Sequence, residues 1–323
     1  MCKVLVTGSS GFLGSQIVEA ALAKNFSVIG LDINPPSKSH GKNFSFFRLD
    51  ISEIEDRTFP KIDFIIHAAS ILPYGNSAEL FEKNNVVTTL AVSRFARANK
   101  AFLVEISSSS VYGRPIALPV TKSTPLSPMD AYARSKLQAE LEVGKTLGSD
   151  SYAVIRPRTI LGQRRGGIFD IFFGLINRGL PIPLPNSGKQ VIQFVHVRDL
   201  ASLSLHLGQN RISGIWPGAS PDPKPLHSYL KSMSSRFELE VRYIPLNAPL
   251  FKVIGSLAYR LRISKFTPWH FGAFPYDNYV AQDWIPEGFS YNFTCQEAFN
   301  ETFQSSKVRK LSKFAILRLG YKV

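Results

Sequence analysis

The chain has 323 residues, 44% hydrophobic and 19% charged, a balance that excludes disordered and fibrous classes and allows a large core. Its two cysteines, Cys2 and Cys295, have no metal-ligand spacing, so the expectation is a reducing, cytoplasmic location with no disulfide framework and no metal. The net charge of +14 favours anionic partners, but no recognition motif accompanies it and nucleic acid is set aside.

In chain order, Lys3-Val4-Leu5-Val6-Thr7 reads as a buried strand that opens the sequence without a signal peptide. Gly8-Ser9-Ser10-Gly11-Phe12-Leu13-Gly14 follows, then a helical apolar rhythm through Ile17, Ala20, Ala21 and Leu22. Strand, glycine turn and helix in this order form a pyrophosphate cradle, because glycine lets backbone approach the phosphates and a helix N-terminus attracts anions. The spacing is G-x-x-G-x-x-G rather than G-x-G-x-x-G. The second strand, Ser27–Asp32, ends on an acid ~20 residues beyond the glycines, where a carboxylate accepts from ribose hydroxyls and repels a 2′-phosphate. Asp32 therefore favours NAD over NADP.

Strands are expected at 44–49, 63–66, Phe102–Ile106 and 152–155, and helices at 78–99 and 130–147. This alternation predicts an α/β fold, a doubly wound parallel Rossmann sheet with a smaller C-terminal substrate domain. Residues 1–165 form the dinucleotide-binding unit, with return segments near 190–215, and 166–323 are mainly substrate-binding. The stretch 193–197 is expected to rejoin the sheet.

The stretch 266–289 is rich in aromatics (Trp269, Phe271, Phe274, Tyr276, Tyr279 and Trp284 among them) and suits either a pocket lining or a small core. Two segments mix apolar and basic residues, 250–263 and the tail from Lys307. They are read as helices that pack an apolar face with solvated lysines, in preference to lying on a membrane surface. No apolar run reaches the ~20 residues needed to span a bilayer.

The chemistry centres on Tyr132-Ala133-Arg134-Ser135-Lys136. Positions i and i+4 share a helix face, so Tyr132 and Lys136 act on one small volume. A neighbouring ammonium favours phenolate and brings tyrosine toward use as a base. The run Ser107-Ser108-Ser109-Ser110 lies upstream at a strand end and supplies a hydroxyl to hold a reacting oxygen.

With these motifs, the chain resembles the extended short-chain dehydrogenase/reductase family, the NAD-dependent epimerase/dehydratase group, over residues 3–220. Arg48-Leu49-Asp50-Ile51 is similar to the family's adenine-contacting strand end, which implies Asp50 and Ile51 as cofactor contacts. His67-Ala68-Ala69-Ser70 resembles the segment lying along the cofactor, with Ala68 and Ala69 beside it. Asn85-Val86-Val87-Thr88-Thr89 resembles the Asn-Val-x-Gly-Thr helix motif, and Arg156-Pro157 the pair after the sixth strand; both Asn85 and Arg156 are implied to serve the cofactor. Phe194-Val195-His196-Val197-Arg198-Asp199 resembles the Val-Asp-Asp motif.

The resemblance implies that Tyr132 is the acid/base, that Lys136 tunes it and holds the nicotinamide ribose, and that Ser108 donates to the substrate oxygen. Gly8, Ser10, Gly11, Phe12, Leu13 and Gly14 are implied to hold the NAD pyrophosphate, and helix pairing implies a homodimer.

Departures narrow the substrate. Ser109 and Ser110 stand where the family's dehydratases carry Asp-Glu, which disfavours dehydration. Ile192 stands where an arginine pairs with a substrate diphosphate; Arg158, Arg164 and Arg165 are the nearby substitutes. The leading expectation is an oxidoreductase or epimerase acting on a secondary alcohol or ketone of a nucleotide sugar. A dehydrogenase of a sterol-like or other hydrophobic alcohol is the alternative, and a non-catalytic dinucleotide sensor is the reading from another class.

Overall fold

A computed structural model describes residues 1–73, 77–163, 168–264 and 266–308. Arg164, Arg165, the side chains of Trp269 and Lys307, and the basic tail beyond Val308 lie outside the described residues.

The first half is built from β1 (Lys3–Thr7), α1 (Phe12–Ala23), β2 (Ser27–Asp32), β3 (Phe44–Arg48) and β4 (Phe64–His67). A long helix follows as α2 (Ala78–Phe81), a π-helical stretch Glu82–Val87, and α3 (Thr88–Ala98). Then come β5 (Phe102–Ile106), α4 (Ala131–Thr146), β6 (Tyr152–Pro157) and β7 (Thr159–Leu161). The second half holds α5 (Phe169–Ile176), β8 (Ile182–Pro185), β9 (Val191–Ile192), β10 (Phe194–His196), α6 (Val197–Asn210) and β11 (Gly214–Gly218). It closes with β12 (Lys224–Pro225), α7 (Leu226–Phe237), β13 (Tyr243–Leu246), α8 (Ala248–Arg260), α9 (Pro268–Ala273) and α10 (Cys295–Val308).

The central sheet has seven strands in the order β11-β6-β5-β4-β1-β2-β3, all paired in parallel. Its inner strands β1, β4 and β5 are mostly apolar because helices cover both faces, whereas the edge strand β3 is largely exposed. Val4, Val6, Phe64, Ile66 and Val104 face Ile17 of α1 and Leu203 of α6. Leu5, Ile65 and Leu103 point the other way, toward Val92 and Phe95 of α3 and Val143 of α4. The strand order reverses between β1 and β4. At such a reversal the crossovers diverge and leave a crevice at the carboxyl ends.

A second core gathers Phe169, Phe173, Phe194, Tyr229, Phe299 and Phe303. Several of their rings meet edge to face, as with Phe169 and Phe194 at 5.2 Å and 85°, the arrangement the ring quadrupole favours. Ile192 is buried in this core.

Two expectations are corrected. The stretch 193–197 does not rejoin the central sheet: β10 pairs with β7 in a separate two-stranded ribbon. The strand that returns is β11, beside β6, after α6 has crossed over and packed against α1. Segment 250–263 does not bury its apolar face either. Helix α8 buries Phe251 and Gly255 against the Phe271 ring, while Leu250, Val253, Ile254, Leu257, Leu261 and Ile263 stand exposed. The aromatic stretch 266–289 divides. Phe271 and Trp284 are buried, Phe274 packs on Phe169 and Phe251, and the Tyr276 ring lies under the Arg114 guanidinium.

Candidate active site

The glycine turn is packed backbone on backbone. A Cβ on Gly14 would sit 1.9 Å from the Gly8 carbonyl oxygen, and one on Gly8, which has φ +66°, would sit 2.7 Å from the Ala69 nitrogen. Neither position admits a side chain. Gly11 donates to the Gly8 carbonyl at 2.9 Å and caps α1 without any side-chain hydrogen bond or acid in the first turn. The start of α1, at Phe12 and Leu13, thus presents peptide N–H dipoles with no built-in anion, a fit for a pyrophosphate.

Asp32 is tied to this turn. Its Oδ2 accepts from Ser10 N at 3.0 Å and its Oδ1 from Asn34 N at 2.9 Å, while Ser10 Oγ donates to the Asn34 carbonyl. Asp50 lies at the neighbouring strand end, where Leu49 N donates to the Asp32 carbonyl. Hydrogen bonds from Ser52 hold the Asp50 carboxyl below its usual range. The Ile51 side chain is buried in the core beneath the sheet, so only its backbone faces outward. The Ala68-Ala69 backbone crosses the turn, with Ala69 N donating to Thr7 Oγ1 at 3.3 Å. Glycines, Asp32, Asp50, Ala68 and Ala69 therefore share the carboxyl ends of adjacent strands, as a dinucleotide crevice requires.

Ser108 follows β5 and caps the short 3₁₀ turn Ser109–Tyr112. Its Oγ accepts from Ser110 N at 3.2 Å and Ser110 Oγ at 2.9 Å. With these acceptances its own proton is left to donate. Helix α4 starts at Asp130, whose carboxylate accepts from Ala133 N at 2.6 Å, and it packs against the Ser109–Tyr112 turn. Tyr132 is half-buried in its first turn, with its ring edge to face with Phe81 at 5.7 Å.

Asn85 sits buried in the π-helical stretch, a distortion that often marks functional sites. Its Oδ1 accepts from Ser70 Oγ and Ile71 N, and its Nδ2 donates to Ser135 Oγ at 3.0 Å. Ser135 in turn donates to the Tyr132 carbonyl. Asn85 thus fastens the end of β4 to the tyrosine-bearing turn of α4.

Lys136 is buried, and its Nζ donates to Glu105 Oε1 at 3.1 Å. Glu105 is the penultimate residue of the otherwise apolar strand β5, and burial raises its carboxyl, opposed by the Lys136 charge. Its register partner on β4 is His67. His67 Nδ1 is bonded to Thr7 Oγ1 at 2.6 Å, and burial, then the Lys136 charge, pushes this imidazole down to about 3. A neutral histidine and a buried carboxylate thus underlie the lysine. Sequence reasoning overlooked Glu105, Thr7 and His67 as site components; an acid inside Phe102-Leu103-Val104-Glu105-Ile106 was the available signal, since an unpaired buried carboxylate is costly.

Arg156, expected to contact the cofactor, is engaged inside the protein. It forms a fork with Glu140, Nη2 to Oε2 at 2.6 Å, and donates to the Tyr112 hydroxyl at 2.9 Å. Glu140 also accepts from Ser107 Oγ, so the pair braces the serine run. Arg158 is buried as well, donating to Ser109 Oγ at 3.0 Å and to the Asn278 carbonyl at 2.9 Å. No carboxylate pairs with it among the described residues, and burial draws it down to about 10. Asp199 of the Val-His-Val-Arg-Asp stretch is structural: it accepts from Asn292 N and Phe293 N.

The model of the NAD dependent epimerase/dehydratase family matches residues 4–216. The uncharacterized protein y4nG of Sinorhizobium fredii is 35% identical over 204 residues, 61% of this chain but only about half (51%) of that protein. A putative UDP-glucose 4-epimerase of Methanocaldococcus jannaschii is 28% identical over 247 residues, covering 71% of this chain and 81% of that one. The fold is similar to that of UDP-glucuronic acid 4-epimerase from Bacillus cereus in complex with NAD, with TM-score 0.73, 18% identity, and coverage of 95% and 99%. With the glycine cradle, the acid-ended second strand and this match in agreement, the chain belongs to the NAD dependent epimerase/dehydratase family and is an NAD-dependent enzyme.

Proposed function

We propose that the protein is an epimerase that inverts a secondary alcohol of a nucleotide sugar by oxidising it and reducing the resulting ketone from the opposite face. The observation that carries this reading is the placement of Tyr132 and Lys136 one turn apart on α4, with Lys136 Nζ pinned to Glu105 and Ser108 at the adjoining strand end. Gly8, Gly11 and Gly14, Asp32 and Asp50 would hold NAD, which supplies a reversible acceptor for the hydrogen on the carbinol carbon.

The residues of the chain handle the proton. Ser108 donates to the substrate oxygen and fixes its position, as its hydroxyl already accepts from Ser110. Tyr132 as phenolate removes the hydroxyl proton while the C–H electron pair departs, leaving a ketone. The same phenol returns the proton when the C–H bond re-forms on the other face. The ammonium of Lys136 stabilises the phenolate in a water-poor site. No acid stands at Ser109 or Ser110, which favours epimerisation over loss of water.

The substrate class is supported by the relative named for UDP-glucose and by Arg158. Ile192 cannot clamp a diphosphate, whereas Arg158 holds positive charge beside Ser109 with no anion paired to it among the described residues. In this reading it attracts the anionic part of the substrate.

The test is incubation of the purified full chain, with its NAD content measured, with UDP-glucose or UDP-galactose. The expected result is interconversion of the two sugars, seen by NMR, with no net NADH. Net NADH formation from a hydrophobic secondary alcohol, with the sugars inert, would replace this reading by the dehydrogenase one.

A further inference from the structure

Helix α8 presents an apolar face that the other described residues leave exposed. Asn247 starts the helix by accepting from Leu250 N at 2.8 Å, and the helix then packs through Phe251 and Gly255 onto α9. A Cβ on Gly255 would lie 2.1 Å from the Phe271 ring, so the helix is seated closely on that side. Leu250, Val253, Ile254, Leu257 and Leu261 recur at spacings of three and four, which places them on one stripe. Val253 is 62% exposed, Leu257 55%, Leu261 59% and the next apolar residue, Ile263, 61%.

The charge around this stripe has one sign. Between Glu240 and Asp277 the chain has no acidic residue, while Arg242, Lys252, Arg260 and Arg262 are exposed within it. An exposed apolar stripe with basic flanks and no acids matches the composition of a helix lying in a lipid headgroup layer. The whole-chain charge of +14 acts in the same direction. No described helix is long and apolar enough to cross a membrane, so the contact would be in the plane of the surface.

We propose that α8 docks the protein onto an anionic bilayer surface, with Leu250, Val253, Ile254, Leu257 and Leu261 inserted at the boundary between headgroups and acyl chains and Arg260 and Arg262 against lipid phosphates. The inference does not depend on which substrate the active site takes. The position of α8 gives it a route to the site: α9, on which it is seated, leads into Tyr276-Asp277-Asn278. Asn278 accepts from Arg158 through its carbonyl, and Asp277 accepts from Val191 N.

The test is sedimentation of the full chain with vesicles of equimolar phosphatidylglycerol and phosphatidylcholine, and with phosphatidylcholine alone. The expected result is binding to the anionic vesicles only, weakened by salt, and about tenfold or more weaker in the double variant Val253→Ser with Leu257→Ser. Arg260→Glu with Arg262→Glu should weaken it comparably. Unchanged NAD content and melting temperature in these variants would show that the fold is intact. Undiminished binding by both double variants, or no binding by the wild-type chain, overturns the proposal. So does a wild-type dimer that the serine variants convert to monomer without vesicles, because the face would then be covered by a second copy.

Discussion

Lys136 Nζ lies 3.1 Å from Glu105 Oε1, and both side chains are closed off from solvent. The lysine charge that is meant to favour a phenolate is thus already balanced in part by a carboxylate on the neighbouring strand. In the proposed relay Glu105 would be a positioning residue that fixes the ammonium and moderates its pull on Tyr132.

Replacing Glu105 by Gln is expected to leave Lys136 as an uncompensated buried cation, with a stability cost of about 3–5 kcal/mol. In the molecules that fold, the unpaired ammonium should favour the Tyr132 phenolate more strongly. The acidic limb of the kcat profile should therefore move to lower pH, by about one unit. A limb that stays in place, with stability reduced, would assign Glu105 to folding alone.

Gly14 has no room for a side chain. Gly14→Ala would place a methyl carbon 1.9 Å from the Gly8 carbonyl, forcing the turn away from α1. The expected outcome is about tenfold or more weaker NAD retention and a loss of roughly 1–3 kcal/mol in stability. Cofactor content after purification and the denaturant midpoint check both.

Most of the fold was legible because a parallel sheet covered on both faces is made of mostly apolar strands, and β1, β2 and β5 are such runs in the sequence, broken in β5 only by Glu105. The glycine turn and Asp32 were legible for a similar reason, since few residue types satisfy that backbone path. What the sequence concealed depends on contacts between distant segments. Nothing local to Arg156 reveals that Glu140 and Tyr112 occupy its guanidinium. The pairing of β10 with β7 instead of the central sheet is likewise a choice between two apolar partners. The helical period of α8 was plain, but period alone does not say whether an apolar stripe finds a partner.

Arg158→Met removes the buried guanidinium while keeping much of its volume. If the charge attracts an anionic substrate, KM for the nucleotide sugar should rise about tenfold or more, with kcat changed far less. A fall in kcat at constant KM would mean that Arg158 shapes the serine run through Ser109 instead.

His67 sets an acid limit on stability. Unfolded, its imidazole takes a proton near its ordinary value of 6.5, whereas in the folded protein burial delays protonation to about 3. Between these values only the unfolded chain binds the proton, so stability is intact above pH 6.5 and is lost as pH falls, by about 1.4 kcal/mol per pH unit. The half-buried His270, pushed down to about 4 by desolvation, adds to the loss in the same direction. His67→Gln should flatten the fall of melting temperature between pH 6.5 and 4; an unchanged slope would show that other groups govern it.

The central claim is that Tyr132 moves the substrate proton in a reaction for which NAD is held by the glycine turn. The most direct measurement is the rate of UDP-sugar interconversion by Tyr132→Phe, together with its NAD content. Loss of the phenol should lower the rate by about 100-fold to 10,000-fold while NAD content stays at the wild-type level. A rate within a few-fold of wild type, with NAD retained, would contradict the account.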